Sequence, residues 1–304
     1  MRIVNEFDVI VVGQGLAGLA TAKDAAARGL RVGAFESEFF GGLVANRVAL
    51  DFFPPAQGMT GMDYAAQLAA TNAQAGVVGH QKAVTAIHRQ PAGFQVECEG
   101  GHRYQSRAVV MASGARLKRL GVPGEHELEG RGVSHCADCD GPLFHGQTVV
   151  VAGGGDSAFQ SAVILARDCK EVWVVFDKAQ ATAHPDLQAA VRSAGNVHTL
   201  ASSTVTQIVG ADVVTAVTVK GAEGDRNIAA HGVFVFVGLE PNTGLVPPDA
   251  ARNADGFLAT DANLETTVSG LWAVGQVRAR FPGLLLDALQ DARQVSEVLA
   301  ERLQ

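Results

Sequence analysis

Two cysteines separated by two residues are the part of this chain with the clearest redox chemistry. Residues 135–141 read His-Cys-Ala-Asp-Cys-Asp-Gly, so Asp140 directly follows the second cysteine of the pair Cys136 and Cys139. At this spacing both thiols can reach one partner, and either can attack a disulfide while the other leaves. The same spacing also occurs in zinc sites and in ordinary loops. The position of the pair between two glycine-rich segments favours a redox disulfide.

The first glycine-rich segment lies between a predicted strand and a predicted helix. Residues 7–12 form an apolar run that predicts a buried parallel strand, and residues 19–28 have an alanine-rich helical pattern. The motif G-x-G-x-x-G lies between them at residues 13–18, and a second apolar run, residues 31–35, ends in Glu36. This order of elements predicts a dinucleotide site.

Each glycine of this motif has a separate predicted role. Gly13 permits a tight turn, Gly15 lets the backbone approach a pyrophosphate, and Gly18 lets helix and strand pack closely. The free amides of the helix N-terminus attract the diphosphate. Glu36, 23 residues after Gly13, can accept hydrogen bonds from ribose hydroxyls. The alternative is a glycine turn that serves only packing.

The same unit is repeated later in the chain. A predicted strand at residues 148–151 leads into the sequence Gly-Gly-Gly-Asp-Ser-Ala at residues 153–158, and a strand at residues 171–176 ends in Asp177. Asp177 follows Gly153 by 24 residues, close to the spacing of the first copy. An internal repeat of this kind predicts a second nucleotide site. Its predicted residues are Gly153, Gly155, Asp156, Ser157, Ala158 and Asp177.

Length and composition restrict the class of protein. A chain of 304 residues exceeds what one core usually supports, which predicts two domains. Its 47% hydrophobic content suits packed cores, and its net charge of −7 argues against nucleic acid or an anionic membrane as a partner. No apolar run reaches the roughly 20 residues of a membrane helix, and no signal peptide is evident, so we expect a soluble, cytoplasmic protein. Cys98 and Cys169 are expected to be inert, buried thiols.

The repeat also predicts the domain organisation. We expect an α/β fold with two Rossmann-like, three-layer nucleotide-binding domains, the second inserted into the first. The predicted first domain comprises residues 1–118 and 246–304 and ends in a helix at residues 285–303. The predicted inserted domain comprises residues 119–245 and carries the cysteine pair.

Three segments in this order resemble the low-molecular-weight thioredoxin reductases. They are residues 121–125 (GVPGE), 132–141 (GVSHCADCDG) and 150–158 (VVAGGGDSA), and the likeness covers essentially the whole chain. The resemblance implies an FAD-dependent disulfide oxidoreductase that is a homodimer. It further implies that the first domain binds FAD, that the inserted domain binds NADPH, and that the partner is a thioredoxin-like protein or a small-molecule disulfide or dithiol.

The resemblance also implies a role for each residue that occupies a position of the family motif. Cys139 would face the flavin, Cys136 would attack the partner disulfide, and Asp140 would manage the proton of the leaving thiol. The alternative for Asp140 is a cap or turn acid. No metal is implied. The implied FAD-binding residues are Gly13, Gly15, Leu16, Ala17, Gly18, Glu36, Ser37, Gly42, Leu43, Asn46, Ala112, Ser113, Gly114, Gly275, Gln276, Leu285 and Leu286.

Two departures from the family pattern affect the cofactors. Asp177 stands near the position where the family has arginines for the 2′-phosphate, so NADPH is disfavoured and NADH is possible. Gln276 replaces a flavin-binding aspartate, and residues 281–286 lack the usual Arg-Gln motif. Three readings therefore stay open beside the NADH-dependent one: a ferredoxin-linked reductase, an O₂-dependent dithiol oxidase, and a non-catalytic flavin-binding redox sensor.

Overall fold

The structure is a computed structural model that describes residues 6–50, 53–221 and 224–303. The chain divides into two compact units. The first, here called the discontinuous unit, combines Met1–Arg116 with Glu240–Gln304, and the second, the inserted unit, is Leu117–Leu239. Each unit is described separately below.

The leading segment of the discontinuous unit alternates strands with two helices and ends at the crossover into the inserted unit. Its elements are β1 (Glu6–Val12), α1 (Leu16–Ala27), β2 (Val32–Glu36), α2 (Gly61–Gln74), β3 (Val78–Gln81), β4 (Val84–Gln90), β5 (Gly93–Cys98), β6 (His102–Met111) and β7 (Ala115–Leu117).

The inserted unit follows with eight strands and three helices among its described residues. They are β8 (Val133–Ser134), α3 (Ala137–Asp140), β9 (Thr148–Ala152), α4 (Asp156–Leu165), β10 (Glu171–Val175), α5 (Pro185–Ser193), β11 (Val197–Leu200), β12 (Thr204–Gly210), β13 (Val214–Gly221), β14 (Gly224–Ala229) and β15 (Gly232–Val235).

The chain then returns to the discontinuous unit through β16 (Leu239–Pro241), which pairs with β7 at the crossover. Strand β17 (Leu271–Ala273) and the long helix α6 (Leu285–Leu303) complete this unit. Within residues 6–50, 53–221 and 224–303, no helix combines the length and the apolar character that a membrane span requires.

A largely parallel sheet forms the centre of the discontinuous unit. Its strand order is β3-β2-β1-β6-β5-β4, with β17 also paired to β6, and all pairs except those of β4 and β5 are parallel. Because successive side chains of a strand point to opposite faces, Val9 and Val11 of β1 pack in one core with α1 and α6. Ile10 and Val12 pack in a second core on the other face.

The inserted unit has three layers. Its parallel sheet has the order β11-β10-β9-β15-β8, and β12, β13 and β14 form a separate antiparallel sheet. Val149 and Val151 of β9 pack against α4, whereas Val150 packs in the core beneath the antiparallel sheet with Val217. A parallel sheet flanked by helices in each unit confirms the predicted α/β fold class.

The unit boundaries differ from the predicted ones. The second crossover lies at 239/240, whereas the sequence predicted 245/246. Residue Asn242 belongs to the discontinuous unit because its side-chain amide donates to the Ser113 carbonyl at 2.8 Å and its backbone N–H donates to the Gly114 carbonyl at 3.0 Å. Ser113 in turn donates its hydroxyl proton to the Asn242 carbonyl at 2.8 Å.

Candidate active site

Four loops of the discontinuous unit begin at the same edge of its sheet. They follow the carboxyl ends of β1, β2, β6 and β17, which are all mutually parallel neighbours in the sheet. This edge therefore gathers the glycine turn after β1, Glu36, residues 112–114 and Gly275. In open α/β sheets, ligands bind at this edge.

The glycine turn after β1 is shaped by close backbone contacts. Gly13 has φ +97°, and a Cβ there would lie 2.5 Å from the Ala112 carbonyl oxygen. A Cβ on Gly18 would overlap the Gly13 carbonyl oxygen. At Gly15, by contrast, the nearest atoms to a Cβ would be 3.9 Å away, in Gly41 and Gly42. Gly15 thus presents an open approach at the start of α1, where the helix has no side-chain cap.

The carboxylate of Glu36 is held at the mouth of this turn. It accepts hydrogen bonds from the backbone N–H groups of Gln14 and Ser37, both at 2.8 Å. Gly42 lies against the turn, because a Cβ on it would be 3.2 Å from the Gly15 Cα. The exposed side chains of Leu43 and Asn46 follow in the same loop.

Other predicted flavin contacts differ in what they can offer. Leu16 and Ala17 are buried in the core, so their backbone amides are the parts available at the helix start. Gly275 lies beside them, since a Cβ on it would be 2.8 Å from the Ala17 Cβ. Gln276 is half-buried. At the start of α6, Leu285 packs on the core and Leu286 is 49% exposed.

Cys136 and Cys139 form a disulfide in the inserted unit, with their Cα atoms 5.3 Å apart. The loop is held by its own backbone: the Cys139 N–H donates to the Cys136 Sγ at 3.2 Å, and the Asp140 N–H donates to the Cys136 carbonyl at 3.1 Å. The Asp140 carboxylate accepts a 2.6 Å hydrogen bond from the Ser134 hydroxyl. Across the described part of the chain, no group of three or more His, Cys, Asp or Glu side chains is placed to hold a metal ion.

The two remaining cysteines have a different environment. Cys98 and Cys169 are free thiols, 2% and 5% exposed. Burial raises the pKa of each thiol to about 11. They are therefore poor nucleophiles near neutral pH, which agrees with the expectation that both are inert, buried thiols.

The disulfide loop packs on the helix of the second glycine motif. Ala137 of α3 shares an apolar cluster with Ala158, Phe159 and Leu165 of α4. The loop follows the carboxyl end of β8, and the glycine turn follows the carboxyl end of β9 in the same parallel sheet. Disulfide and second glycine motif consequently belong to one edge of the inserted unit.

The second glycine motif repeats the geometry of the first. Gly153 has φ +135°, and Gly155 is open, with a Cβ there no nearer than 3.9 Å to Thr182 Oγ1. Asp156, at the start of α4, accepts a 2.6 Å hydrogen bond from the His184 N–H. Ala158 is buried, Ser157 is exposed, and Asp177 is exposed just beyond β10.

Three residues at these sites were not among the sequence predictions. Ser134 bonds Asp140, Asn242 joins the loop after β6, and Arg278 forms a buried ion pair with Asp291. Each contact joins residues from separate elements, so residue spacing gives little indication of it. The position of Ser134 two residues before Cys136 is the one local sign that was available.

Comparison with known proteins agrees with this architecture. The pattern of the pyridine nucleotide-disulphide oxidoreductase family matches residues 7–292. The chain is 33% identical to the thioredoxin reductase of Treponema pallidum over 301 residues, covering 97% of both proteins. It is 34% identical to an NADH dehydrogenase of Bacillus subtilis over 273 residues, covering 88% of this chain and 53% of that protein, so it spans about half of the latter.

A solved structure shows the same fold. The thioredoxin reductase of Lactococcus lactis superposes with a TM-score of 0.87 at 26% identity, covering 98% of this chain and 99% of that one. The chain belongs to the pyridine nucleotide-disulphide oxidoreductase family. It is an FAD-dependent disulfide oxidoreductase of the thioredoxin-reductase type. The open glycine turn at Gly15, with the carboxylate of Glu36 at its mouth, fits the diphosphate and ribose of FAD.

Proposed function

We propose that this enzyme exchanges an electron pair between FAD and the Cys136–Cys139 disulfide, and that the dithiol so formed reduces a thioredoxin-like protein or a small-molecule disulfide. The observation that carries the proposal is a disulfide closed within a short loop whose next residue, Asp140, is a carboxylate. FAD, when bound, supplies a carrier that accepts and donates an electron pair. The groups that would hold it are the amides at the start of α1, Glu36 and Gln276.

The reduced cysteine pair then acts by thiol–disulfide exchange. The Cys136 thiolate attacks one sulfur of the partner disulfide, a mixed disulfide forms, and the partner's own S–S bond breaks. Asp140 delivers a proton to the departing thiolate. The Cys139 thiol next gives up its proton and attacks Cys136, so the mixed disulfide breaks and the enzyme disulfide forms again. The departing sulfur of the partner takes up this second proton, and the partner is released as a dithiol.

The assignment of Cys136 as the attacking sulfur follows its position in the family motif, and a hydrogen bond supports it. Its Sγ accepts from the Cys139 N–H at 3.2 Å, and an amide donor stabilises a thiolate. Cys139 is the more exposed residue of the pair. The hydrogen bond matters more than the exposure, because the nucleophile must be charged when it attacks.

The second nucleotide site is proposed to take NADH. Residues 177–184 contain Asp177 and Lys178 and no arginine. A carboxylate beyond β10 repels the 2′-phosphate of NADPH, whereas it can accept a hydrogen bond from the 2′-hydroxyl of NADH. The similarity to a protein named NADH dehydrogenase supports the same choice.

One anaerobic experiment tests the electron route. The purified flavoprotein is mixed separately with NADH, NADPH, reduced ferredoxin and dithiothreitol, and bleaching of the flavin absorbance is followed. We expect rapid bleaching by NADH and slow bleaching by NADPH. Bleaching by dithiothreitol should disappear in Cys139→Ser and in Cys136→Ser, with Cys169→Ser as the matched control.

The other outcomes decide among the alternatives. Rapid bleaching by NADPH would overturn the charge argument at Asp177. Bleaching by dithiothreitol with none by NADH or NADPH, followed by reoxidation with O₂, would identify a dithiol oxidase. Bleaching by ferredoxin alone would identify a ferredoxin-linked reductase. Unchanged dithiol-driven bleaching in Cys139→Ser would refute the disulfide route.

We further propose a cytoplasmic homodimer. Leu284 and Leu286 are 65% and 49% exposed at the start of α6, and exposed apolar side chains suit a subunit interface. The free thiols Cys98 and Cys169 suit a reducing compartment. Sedimentation equilibrium should give about twice the chain mass of 31.6 kDa; a mass equal to one chain would reject the dimer.

A further inference from the structure

Each copy of the repeated unit has a chain segment that returns to its glycine turn after the second strand. In the first copy, Gly41 lies five residues after Glu36. In the second, Thr182 lies five residues after Asp177, so the two positions are equivalent in the repeat. The returning residue of the first copy has no side chain, whereas that of the second has a hydroxyl group. The two copies therefore differ in what they offer a ligand at this position.

Backbone hydrogen bonds hold the two segments in the same way. The Gly41 N–H donates to the carbonyl of Gln14, the second residue of the first glycine motif, at 2.7 Å. The Thr182 N–H donates to the carbonyl of Gly154, the second residue of the second motif, at 2.8 Å. The equivalence in sequence is thus also an equivalence in structure.

The side chain of Thr182 borders the open face of Gly155. Apart from the residues adjacent in the chain, the atom nearest to a Cβ on Gly155 is Thr182 Oγ1, at 3.9 Å. At Gly15 the nearest atoms belong to the backbone of Gly41 and Gly42, also at 3.9 Å. The third residue of such a motif is where the backbone approaches a diphosphate. A diphosphate at the second motif would therefore have a hydroxyl group beside it, where the first motif has backbone.

The proton of the Thr182 hydroxyl is available to a ligand. The hydroxyl oxygen lies 3.3 Å from the Gly154 carbonyl oxygen. That carbonyl already accepts shorter bonds from the N–H groups of Thr182 and Ala183, at 2.8 and 3.0 Å, and a carbonyl oxygen has two lone pairs. The hydroxyl contact is therefore the third and longest at this oxygen. Since Thr182 is exposed, its proton can turn to a phosphate oxygen, and a hydrogen bond to a charged acceptor is stronger than one between neutral groups.

The segment that carries Thr182 is fixed on its C-terminal side. The His184 N–H donates to Asp156 Oδ1 at 2.6 Å, which ties the segment to the start of α4. The side-chain amide of Gln188 in α5 donates to the Ala183 carbonyl at 2.7 Å, and Ala183 is 4% exposed. A ligand contact made from a fixed segment costs little ordering on binding. Asp156 also brings a negative charge to the start of α4, so a hydroxyl donor supplies attraction that the helix N-terminus partly loses.

We infer that Thr182 is a ligand-binding residue of the second nucleotide site, and that its hydroxyl donates a hydrogen bond to the diphosphate of the nucleotide. This inference rests on the proposed binding of NADH at that site and names the part of the nucleotide that Thr182 recognises. NADH, NADPH and ADP-ribose share the diphosphate. Thr182 therefore contributes to the affinity for all three, whereas Asp177 discriminates between a ribose with and without a 2′-phosphate.

The test measures the binding of ADP-ribose to the oxidised holoenzyme by isothermal titration calorimetry, because ADP-ribose carries the diphosphate and cannot reduce the flavin. In Thr182→Val, which keeps the shape and removes the hydroxyl, the Kd should rise about fivefold to tenfold, the effect of one lost hydrogen bond to a charged group. Thr182→Ser, which keeps the hydroxyl, should bind within about twofold of the unaltered protein. Thr206→Val is the matched control, because Thr206 is exposed in the same unit and its hydroxyl also lies 3.3 Å from a backbone carbonyl, that of Thr218.

Rates of flavin reduction locate the contact along the nucleotide. At low nucleotide concentration, Thr182→Val should slow reduction by NADH and by NADPH by the same factor, so that the ratio of the two rates stays constant. A changed ratio would place the hydroxyl at the 2′ position of the ribose and overturn the inference.

The remaining outcomes separate this inference from the proposed function. An unaltered Kd in Thr182→Val, or equal losses in Thr182→Val and Thr182→Ser, would overturn the role of the hydroxyl and leave the nucleotide site intact. If the unaltered protein binds no ADP-ribose and NADH does not bleach its flavin, the proposed nucleotide site fails, and the role of Thr182 fails with it. If Thr182→Val does not fold, Thr182→Ala is measured in its place, with the same limits.

Discussion

The guanidinium of Arg278 and the carboxylate of Asp291 form a bidentate ion pair. The Nε–Oδ2 and Nη2–Oδ1 distances are both 2.7 Å. Their side chains are 12% and 5% exposed, and the same carboxylate accepts a 2.9 Å hydrogen bond from the Gly275 N–H. The pair thus anchors the loop that contains Gly275 and Gln276 to helix α6.

Loss of one partner of this pair should destabilise the fold strongly. In Asp291→Ala the buried Arg278 loses its counter-charge, and we expect a fall of about 3–5 kcal/mol in the free energy of unfolding, measured by urea titration. Glu297→Ala, which removes a carboxylate that is 55% exposed, should cost about 1 kcal/mol or less. Arg278→Met combined with Asp291→Leu should be less harmful than Asp291→Ala; equal losses would contradict the desolvation argument.

The close approach at Gly18 predicts a specific loss of flavin. In Gly18→Ala the new methyl group meets the Gly13 carbonyl, so the turn must shift and FAD affinity should fall by about tenfold or more, equivalent to roughly 1.4 kcal/mol. Flavin absorbance per protein, measured after dialysis, checks this. Gly79→Ala is the control, because no atom lies within 4 Å of its added Cβ. If Gly18→Ala kept its full complement of flavin, the close packing of Gly18 against the Gly13 carbonyl would not be needed for FAD binding.

Reversal of charge beyond β10 should change nucleotide preference. Asp177→Arg removes the repulsion toward the 2′-phosphate and adds a cation for it, so the ratio of flavin reduction rates with NADPH and NADH should rise by about tenfold or more. Asp212→Asn removes an exposed carboxylate elsewhere in the inserted unit and should leave the ratio unchanged. An unaltered ratio in Asp177→Arg would place the ribose of the nucleotide away from this residue.

The imidazole of His80 should make stability depend on pH. It stacks on Phe35 at 4.6 Å, its Nε2 has no hydrogen-bond partner, and burial, with a smaller effect of Lys82, lowers its pKa. Because the unfolded chain takes up this proton at a higher pH than the folded one, stability should fall as pH drops below about 6.5, the ordinary histidine value.

Unfolding titrations near neutral pH and at about one pH unit below the ordinary histidine value check this expectation. His80→Phe should lose less stability between the two pH values than the unaltered protein does. The exposed His145, replaced by Gln, is the control. If His80→Phe and the unaltered protein lose the same amount of stability as the pH falls, a group other than His80 causes that loss.

The buried thiols of Cys98 and Cys169 should not react with thiol reagents while the protein is folded. With the pKa of Cys98 and Cys169 raised to about 11, only about one thiol in a thousand is ionised at pH 8. After reduction of the disulfide, Cys98 and Cys169 should therefore add nothing to the number of rapid thiols that an aromatic disulfide reagent detects. The double variant Cys98→Ser, Cys169→Ser should give the same count in the folded state and two fewer thiols after unfolding.

The sequence predicted those features that depend on short spacing. The glycine turns, the acids that follow the second strand of each repeat, and the disulfide loop were evident because a tight turn needs glycine at particular positions. The helix predicted at residues 285–303 has the same bounds as α6, since its apolar positions recur with helical period. Helix α1 begins at Leu16, directly after Gly15 and three residues before its predicted start.

Other elements lacked a local signal. Helix α5 (Pro185–Ser193) was not predicted, because it is only nine residues long and Val191 is its one buried residue. The second crossover was placed too late because Pro247 and Pro248 resemble a linker, whereas the hydrogen bonds of Asn242 to Ser113 and Gly114 hold residues 240–245 in the discontinuous unit.

The chemical identity of the proposed reacting groups could thus be derived from residue types and their intervals, since two thiols and a carboxylate in one loop can take part in few kinds of reaction. Their partners could not. Ser134 meets Asp140 because β8 pairs with β15, and Arg278 meets Asp291 because a loop after β17 folds back on α6. Contacts of this kind depend on how separate strands and helices pack, and packing energy is shared among many side chains, so no single interval along the chain records it.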